Sequence, residues 1–133
     1  MSGSILYIHG FNSAPSSTKA SQLSSVMQQL GLAGQLRVPL LDNHPRQAVA
    51  QLERAIAELG SPLLVGSSLG GYYATHLAQR HGLKALLVNP AVNPHQLFDG
   101  YLGPQQNFYT GETWELTLDH VQALAELEVP APS

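Results

Sequence analysis

With 133 residues, 44% of them hydrophobic and 11% charged, the chain is long enough for one buried core and too short for two ordinary domains, so residues 1–133 read as a single domain. Six Lys and Arg scattered singly against nine Asp and Glu, a net charge of −3, make no basic stripe for a run of phosphates or an anionic lipid surface, which argues against nucleic-acid and membrane partners. The absence of cysteine removes disulfides, thiolate metal sites and a cysteine nucleophile together, leaving the chemistry to oxygen and imidazole groups.

Taken in chain order, the start MSGSILYIHG has no basic region followed by a long apolar stretch and a cleavage site, and the expected location is cytoplasmic. SILYIH, Ser4 to His9, is a β-rich run ending at Gly10 and is the first predicted strand. SSTKASQLSSVMQQLG then spaces Ala20, Leu23, Val26, Met27 and Leu30 by three and four, with Ser16 or Ser17 as N-cap and Gly31 as stop. That spacing predicts a helix. LRVPLL is a second strand whose Pro39 suits a strand end or an edge. From Asn43, Pro45 falls in a first helical turn and Ala48, Leu52, Ala55, Ile56 and Leu59 share one face up to Gly60. PLLVGS is the third strand, LGGYYATHLAQRHG a helix closed by Gly82, and KALLVNP the fourth strand. Strands alternating with helices predict an α/β fold: a mostly parallel sheet, right-handed crossovers and helices on both faces.

From Pro90 the pattern changes. AVNPHQLFDGYLGPQQNFYTGETWELT is rich in Pro, Gly, Asn and aromatics and reads as loop with short helical pieces. It follows the carboxyl end of a strand, the edge where such sheets bind ligands, so residues 90–117 are expected to form a lid or pocket wall. A last amphipathic helix runs through Val121, Leu124, Ala125 and Leu127.

Gly66-Ser67-Ser68-Leu69-Gly70 fits G-x-S-x-G with Ser68 at its centre. The bare pattern is weak, but it lies where an apolar strand ends and a helix begins, as a nucleophile elbow requires. Such a turn is strained, and the residues two before and two after the serine must lack side chains for strand and helix to pack closely. Gly66 and Gly70 meet that demand. The turn would aim the Ser68 hydroxyl out of the sheet edge and set the Leu69 backbone N–H at a helix N-terminus, where an oxyanion is favoured. A serine that merely caps the helix is the plain competing reading. A phosphate-binding turn is another, but GSSLGG has no P-loop lysine and does not match G-x-G-x-x-G. In YIHGFNSAP the strand ends in His-Gly, and the backbone N–H of Phe11, or else Asn12, could complete an oxyanion hole with Leu69. His9 reads as a brace for that loop rather than as a base.

LYIHGFNSAPSSTKA, LLVGSSLGGYYATHLA and ALLVNPAVNP, with the later NFYTGE, closely resemble the YqiA/YcfP-like family of small bacterial α/β-hydrolase esterases over essentially the whole chain. The resemblance implies an α/β-hydrolase-type sheet, Ser68 as nucleophile, a small-molecule acyl ester or thioester as substrate, and neither cofactor nor metal. Proteins of that family continue with strands that carry a catalytic Asp and then a His. This chain stops after EVPAPS, so the expectation is a C-terminally truncated hydrolase without that pair.

Among the histidines present, His76 and His81 follow Ser68 on one helix by eight and thirteen residues, about 12 and 20 Å along its axis, out of reach of the hydroxyl. His44 belongs to a helix start. His95, with Asp99 after it, and His120, beside Asp119, are the candidate substitute bases. An uncovered fourth strand would be an apolar edge, and a homodimer pairing Ala85 to Asn89 across a two-fold axis is the expected consequence. The alternative function is a non-catalytic α/β binding module that uses the same pocket.

Overall fold

Strands β1 (Ile5–Ile8), β2 (Leu36–Arg37), β3 (Leu63–Ser67) and β4 (Ala85–Val88) pair in parallel in the order β2-β1-β3-β4. This computed structural model describes residues 4–10, 16–88, 102–107 and 109–127. Helices α1 (Thr18–Gln29), α2 (Pro45–Leu59) and α3 (Leu69–His81) connect successive strands, and α4 (Leu118–Glu126) follows the sheet. The α/β class expected from the alternation of elements is the fold observed.

The helix boundaries follow from local chemistry. Ser17 Oγ accepts the Ala20 N–H at 3.4 Å and starts α1. Pro45 occupies the first turn of α2, where its missing N–H costs nothing. Gly82 ends α3 in the left-handed region at φ +65, which a side chain would strain.

Strand alternation then builds two layers of core. Leu6, Ile8 and Leu64 point to one face, where they pack with Ala48, Leu52 and Ile56 of α2, Tyr73 and Leu77 of α3, and Leu124 of α4. Tyr7 and Val65 point to the other face and meet Ala20 of α1. Each fully buried leucine contributes about 2–3 kcal/mol. Right-handed crossovers demand this division: the step from β1 to β2 runs one way along the sheet, and the steps to β3 and β4 run the other. The reversal falls between the neighbours β1 and β3, whose register pairs Ile8 with Gly66. In open parallel sheets the crevice for a ligand lies at the carboxyl ends flanking such a reversal.

Three local features differ from the sequence reading. The second strand pairs only at Leu36 and Arg37, because Pro39 cannot donate to a ladder. In α1, Ala20 and Met27 are buried, but Val26 and Leu30 are 49% and 65% exposed, since its face of the sheet offers a smaller apolar patch. Residues 102–117, read as loop with short helical pieces, hold an antiparallel hairpin of β5 (Gly103–Gln106) and β6 (Thr113–Leu116). The connecting turn is closed by Asn107, whose Oδ1 accepts the N–H groups of Tyr109 and Thr110 at 2.9 and 3.2 Å. Thr113 to Leu116 alternates exposed and covered positions, the period of a strand.

At the edge of the four-stranded sheet, β4 leaves Leu86 and Leu87 58% and 38% exposed. Among the described residues no helix is long and apolar enough to cross a membrane.

Candidate active site

The end of β3 passes into α3 through one residue, Ser68, at φ +54 and ψ −118. Among the described residues it is the non-glycine residue with positive φ. This backbone shape belongs to the first central position of a type II′ turn, where glycine is normal, and it costs a side-chain-bearing residue about 1–3 kcal/mol. Ser68 occupies the N-cap position, yet its side chain makes no capping hydrogen bond. Ser17, at the equivalent place in α1, does cap, so the capping explanation that fits Ser17 does not fit Ser68. Instead the Ser68 N–H donates to the Val88 carbonyl at 3.1 Å and its carbonyl accepts from Gly71 at 3.0 Å. Its side chain is exposed while Val65 to Ser67 and Leu69 to Tyr73 are buried. A hydroxyl therefore stands out of a buried, strained turn.

The flanking glycines are required by contact. A Cβ on Gly66 would lie 2.3 Å from the Gly70 carbonyl oxygen, and one on Gly70 would lie 1.9 Å from the Ile8 carbonyl oxygen. The close approach of β3, α3 and β1 exists only because both positions lack a side chain. Leu69 opens α3 and is buried, so its N–H is one of the helix's first amides, which have no intrahelical partner. Phe11, Asn12, His95 and Asp99 lie outside the described residues.

Gly10 packs directly against the serine, a contact the sequence reading did not single out. A Cβ there would be 3.1 Å from Ser68 Cβ and 3.7 Å from Ser68 Oγ. Its signal was the His-Gly pair at a strand end. The preceding His9 is buried, with Nδ1 donating to the Gly10 carbonyl at 3.1 Å and Nε2 accepting the Leu41 N–H at 2.9 Å. Both ring nitrogens are used by the neutral tautomer, and burial lowers the pKa from the ordinary histidine value. His9 is a brace between the end of β1 and the loop that leads to α2, as its position suggested.

The remaining histidines sort by partner. His81 Nε2 bonds Glu53 at 2.6 Å on the surface. His76 is partly covered and bonds the Leu127 backbone, with burial lowering its pKa. His44 is the N-cap of α2: its Nδ1 accepts the Arg46 N–H at 3.2 Å and its Nε2 meets Asp119 Oδ2 at 2.6 Å. His120 lies in the first turn of α4, where its Nδ1 is approached by the Thr117 N–H at 3.2 Å and the Thr117 hydroxyl at 2.8 Å. Its ring faces those of His44 and Trp114, with centroids 4.6 and 5.3 Å away. The structure thus brings His120 to His44 and Thr117, and Asp119 to His44 rather than to its sequence neighbour. Partners 75 residues apart leave no local mark in a sequence.

Among the described residues no group of three or more His, Asp or Glu is arranged to hold a metal ion. A groove of about 520 Å³ opens at the opposite, amino-terminal edge of the sheet, lined by Ile5, Pro62, Leu63, Gly82 and Lys84 among others. None of the candidate site residues lines it; the exposed Ser68 lies at the carboxyl edge.

The model of a family described as "Uncharacterised protein family (UPF0227)" matches residues 4–132. Similar curated proteins are UPF0227 proteins of Shewanella. That of Shewanella sp. (strain ANA-3) is 27% identical over 112 residues, covering 78% of this chain and 60% of the relative. That of Shewanella woodyi is 29% identical over 107 residues, covering 74% and 55%. The chain spans about 60% of the length of the curated relatives it matches.

Proposed function

The chain belongs to the UPF0227 family, and we propose that it carries the nucleophile of a serine hydrolase acting on short acyl esters or thioesters. The observation that carries this reading is Ser68: exposed, uncapping, and strained at φ +54 between glycines that tolerate no side chain. A fold keeps a strained residue where the surrounding packing over-determines it, and such residues gather at reactive sites. The resemblance to YqiA/YcfP-like esterases supports the same assignment.

In the proposed reaction Ser68 Oγ attacks the acyl carbonyl carbon and loses its proton to a histidine base. Negative charge gathers on the carbonyl oxygen, facing the Leu69 N–H at the start of α3 and, by proposal, the Phe11 N–H. Collapse expels the alcohol or thiol with the returned proton, and water then cleaves the acyl-serine. His9 serves the site by holding the Gly10 carbonyl, and Gly10 leaves room beside the hydroxyl. His120 has its Nδ1 engaged by Thr117, which leaves Nε2 as the nitrogen that would take the proton, and His95 and His120 are both proposed as candidate bases within the chain. The hairpin of β5 and β6 is proposed as a wall of the acyl pocket.

Hydrolysis of a short-chain p-nitrophenyl ester tests this reading. The expected result is turnover that Ser68→Ala abolishes and that His95→Gln or His120→Gln lowers by at least about tenfold. Equal rates for the parent chain and Ser68→Ala would remove the reading.

A further inference from the structure

The hairpin and the start of α4 are fastened to the body by a compact polar cluster at the carboxyl edge of the sheet. β2 runs parallel to β1 and β3, so the loop after it and the N-terminus of α2 lie at the edge that holds Ser68; the bond from Leu41 N–H to His9 fixes that placement. From this loop Asn43 donates to Glu112 in the hairpin turn at 3.0 Å. His44 and Arg46 both reach Asp119, at 2.6 and 3.2 Å, and Arg46 also reaches Glu126 at 3.1 Å. At the centre the His120 ring makes tilted contacts with both His44 of the body and Trp114 of β6.

The chemistry of His120 makes this fastening conditional on its charge. Its Nδ1 accepts from Thr117, closing the first turn of α4 in the manner of a capping box. An imidazole nitrogen that gains a proton becomes a donor: it can no longer accept the Thr117 N–H and turns instead to the Thr117 hydroxyl oxygen at 2.8 Å. The same proton sets a positive charge against the His44 ring. We propose that His120 is the pin of a pH-sensitive latch whose protonation loosens the packing of the β5–β6 hairpin against the N-terminus of α2.

All charged groups facing the pin bear on the sign. Asp119 on α4 and Asp42 before α2 favour the protonated form, while His44 opposes it, and burial opposes it more. Glu112 and Glu126 are already engaged by Asn43 and Arg46. The net effect lowers the His120 pKa from the ordinary histidine value, so the latch is closed at neutral pH and opens on mild acidification. Asp119 keeps its charge through that range, because its bonds to His44 and Arg46 lower its pKa. The α2–α4 ion pairs and the Asn43–Glu112 bond therefore persist, and what protonation loosens is the packing around His120 and Trp114. The latch stands apart from the esterase reading; only its effect on access to Ser68 rests on that reading.

Trp114 is the single tryptophan of the chain and its ring lies against His120, so its fluorescence reports on this contact. Between about pH 7.5 and 5 the emission of the intact chain is expected to shift to longer wavelength and become more quenchable by acrylamide, with far-UV circular dichroism unchanged. In His120→Gln the amide oxygen can still accept from Thr117 and does not titrate, and this variant is expected to hold the neutral-pH spectrum throughout. A flat titration of the parent chain would overturn the proposal. So would an equal titration in His120→Gln, or a fluorescence change that tracks loss of helix signal.

Discussion

Ser68 holds a backbone shape that a glycine would adopt without strain, and that sets a stability test independent of any substrate. Replacing Ala by Gly in an ordinary position costs about 0.5–1 kcal/mol. At Ser68 the relief of about 1–3 kcal/mol of strain offsets that cost. Ser68→Gly is therefore predicted to be at least as stable as Ser68→Ala in urea unfolding; a glycine variant weaker by about 1 kcal/mol would show that the turn is relaxed. The neighbouring glycines have the opposite character. Gly70→Ala drives a methyl group into the Ile8 carbonyl, with a predicted loss of about 3 kcal/mol or more. Gly82→Ala meets nothing within 4 Å and bears only the left-handed conformation, about 1–2 kcal/mol. Equal losses at the two positions would contradict the packing described. These demands were legible because G-x-S-x-G at a strand-to-helix junction states them locally. The contact of Gly10 with Ser68 was not, since it depends on β1 and β3 being neighbours.

The elements most legible in the sequence were those with full periodic faces. The predicted stripe of α2 is buried at Ala48, Leu52, Ala55 and Ile56, and glycine stops close α2 and α3 where expected. The hairpin was missed because its closure comes from the Asn107 side chain binding its own loop, with none of the short Asn-Gly or Asp-Gly signals. How α4 docks was hidden too: the Tyr72 hydroxyl donates to the Leu124 carbonyl at 2.6 Å, joining α3 to α4 across 52 residues. Tyr72→Phe is predicted to lower stability by about 1 kcal/mol, and unchanged thermal unfolding would show that this bond is replaceable. Among the described residues β4 is an edge strand with Leu86 and Leu87 exposed, and two copies are proposed to pair there. Sedimentation velocity should then show a concentration-dependent dimer that Leu86→Lys shifts to monomer; a monomer at every concentration would end that proposal.

Across the whole molecule, one topological fact organises the site: strand connections reverse between β1 and β3, so Gly10 and Ser68 meet at the carboxyl edge. Alternating strands and helices announced the class of fold, but the order β2-β1-β3-β4 depends on long-range pairing that local pattern does not encode. The same burial gives the chain a pH dependence. His9, His76 and His120 all have pKa values lowered by burial, so the unfolded chain binds these protons more readily than the folded one. Stability from this source is full above about pH 6.5, the unfolded histidine value, and falls as pH drops through the lower folded values. The urea midpoint is predicted to be lower at about pH 5 than at about pH 7.5, with His9→Asn weakening that dependence; an unchanged midpoint would mean that these histidines are solvated. Covalent labelling tests the reactivity proposed for Ser68 most directly. Incubation with a small organophosphonate, followed by mass mapping, is predicted to place one adduct on the peptide containing Ser68 and none in Ser68→Ala. An unlabelled chain, or an adduct on another serine at equal rate, would contradict the assignment of Ser68 as nucleophile.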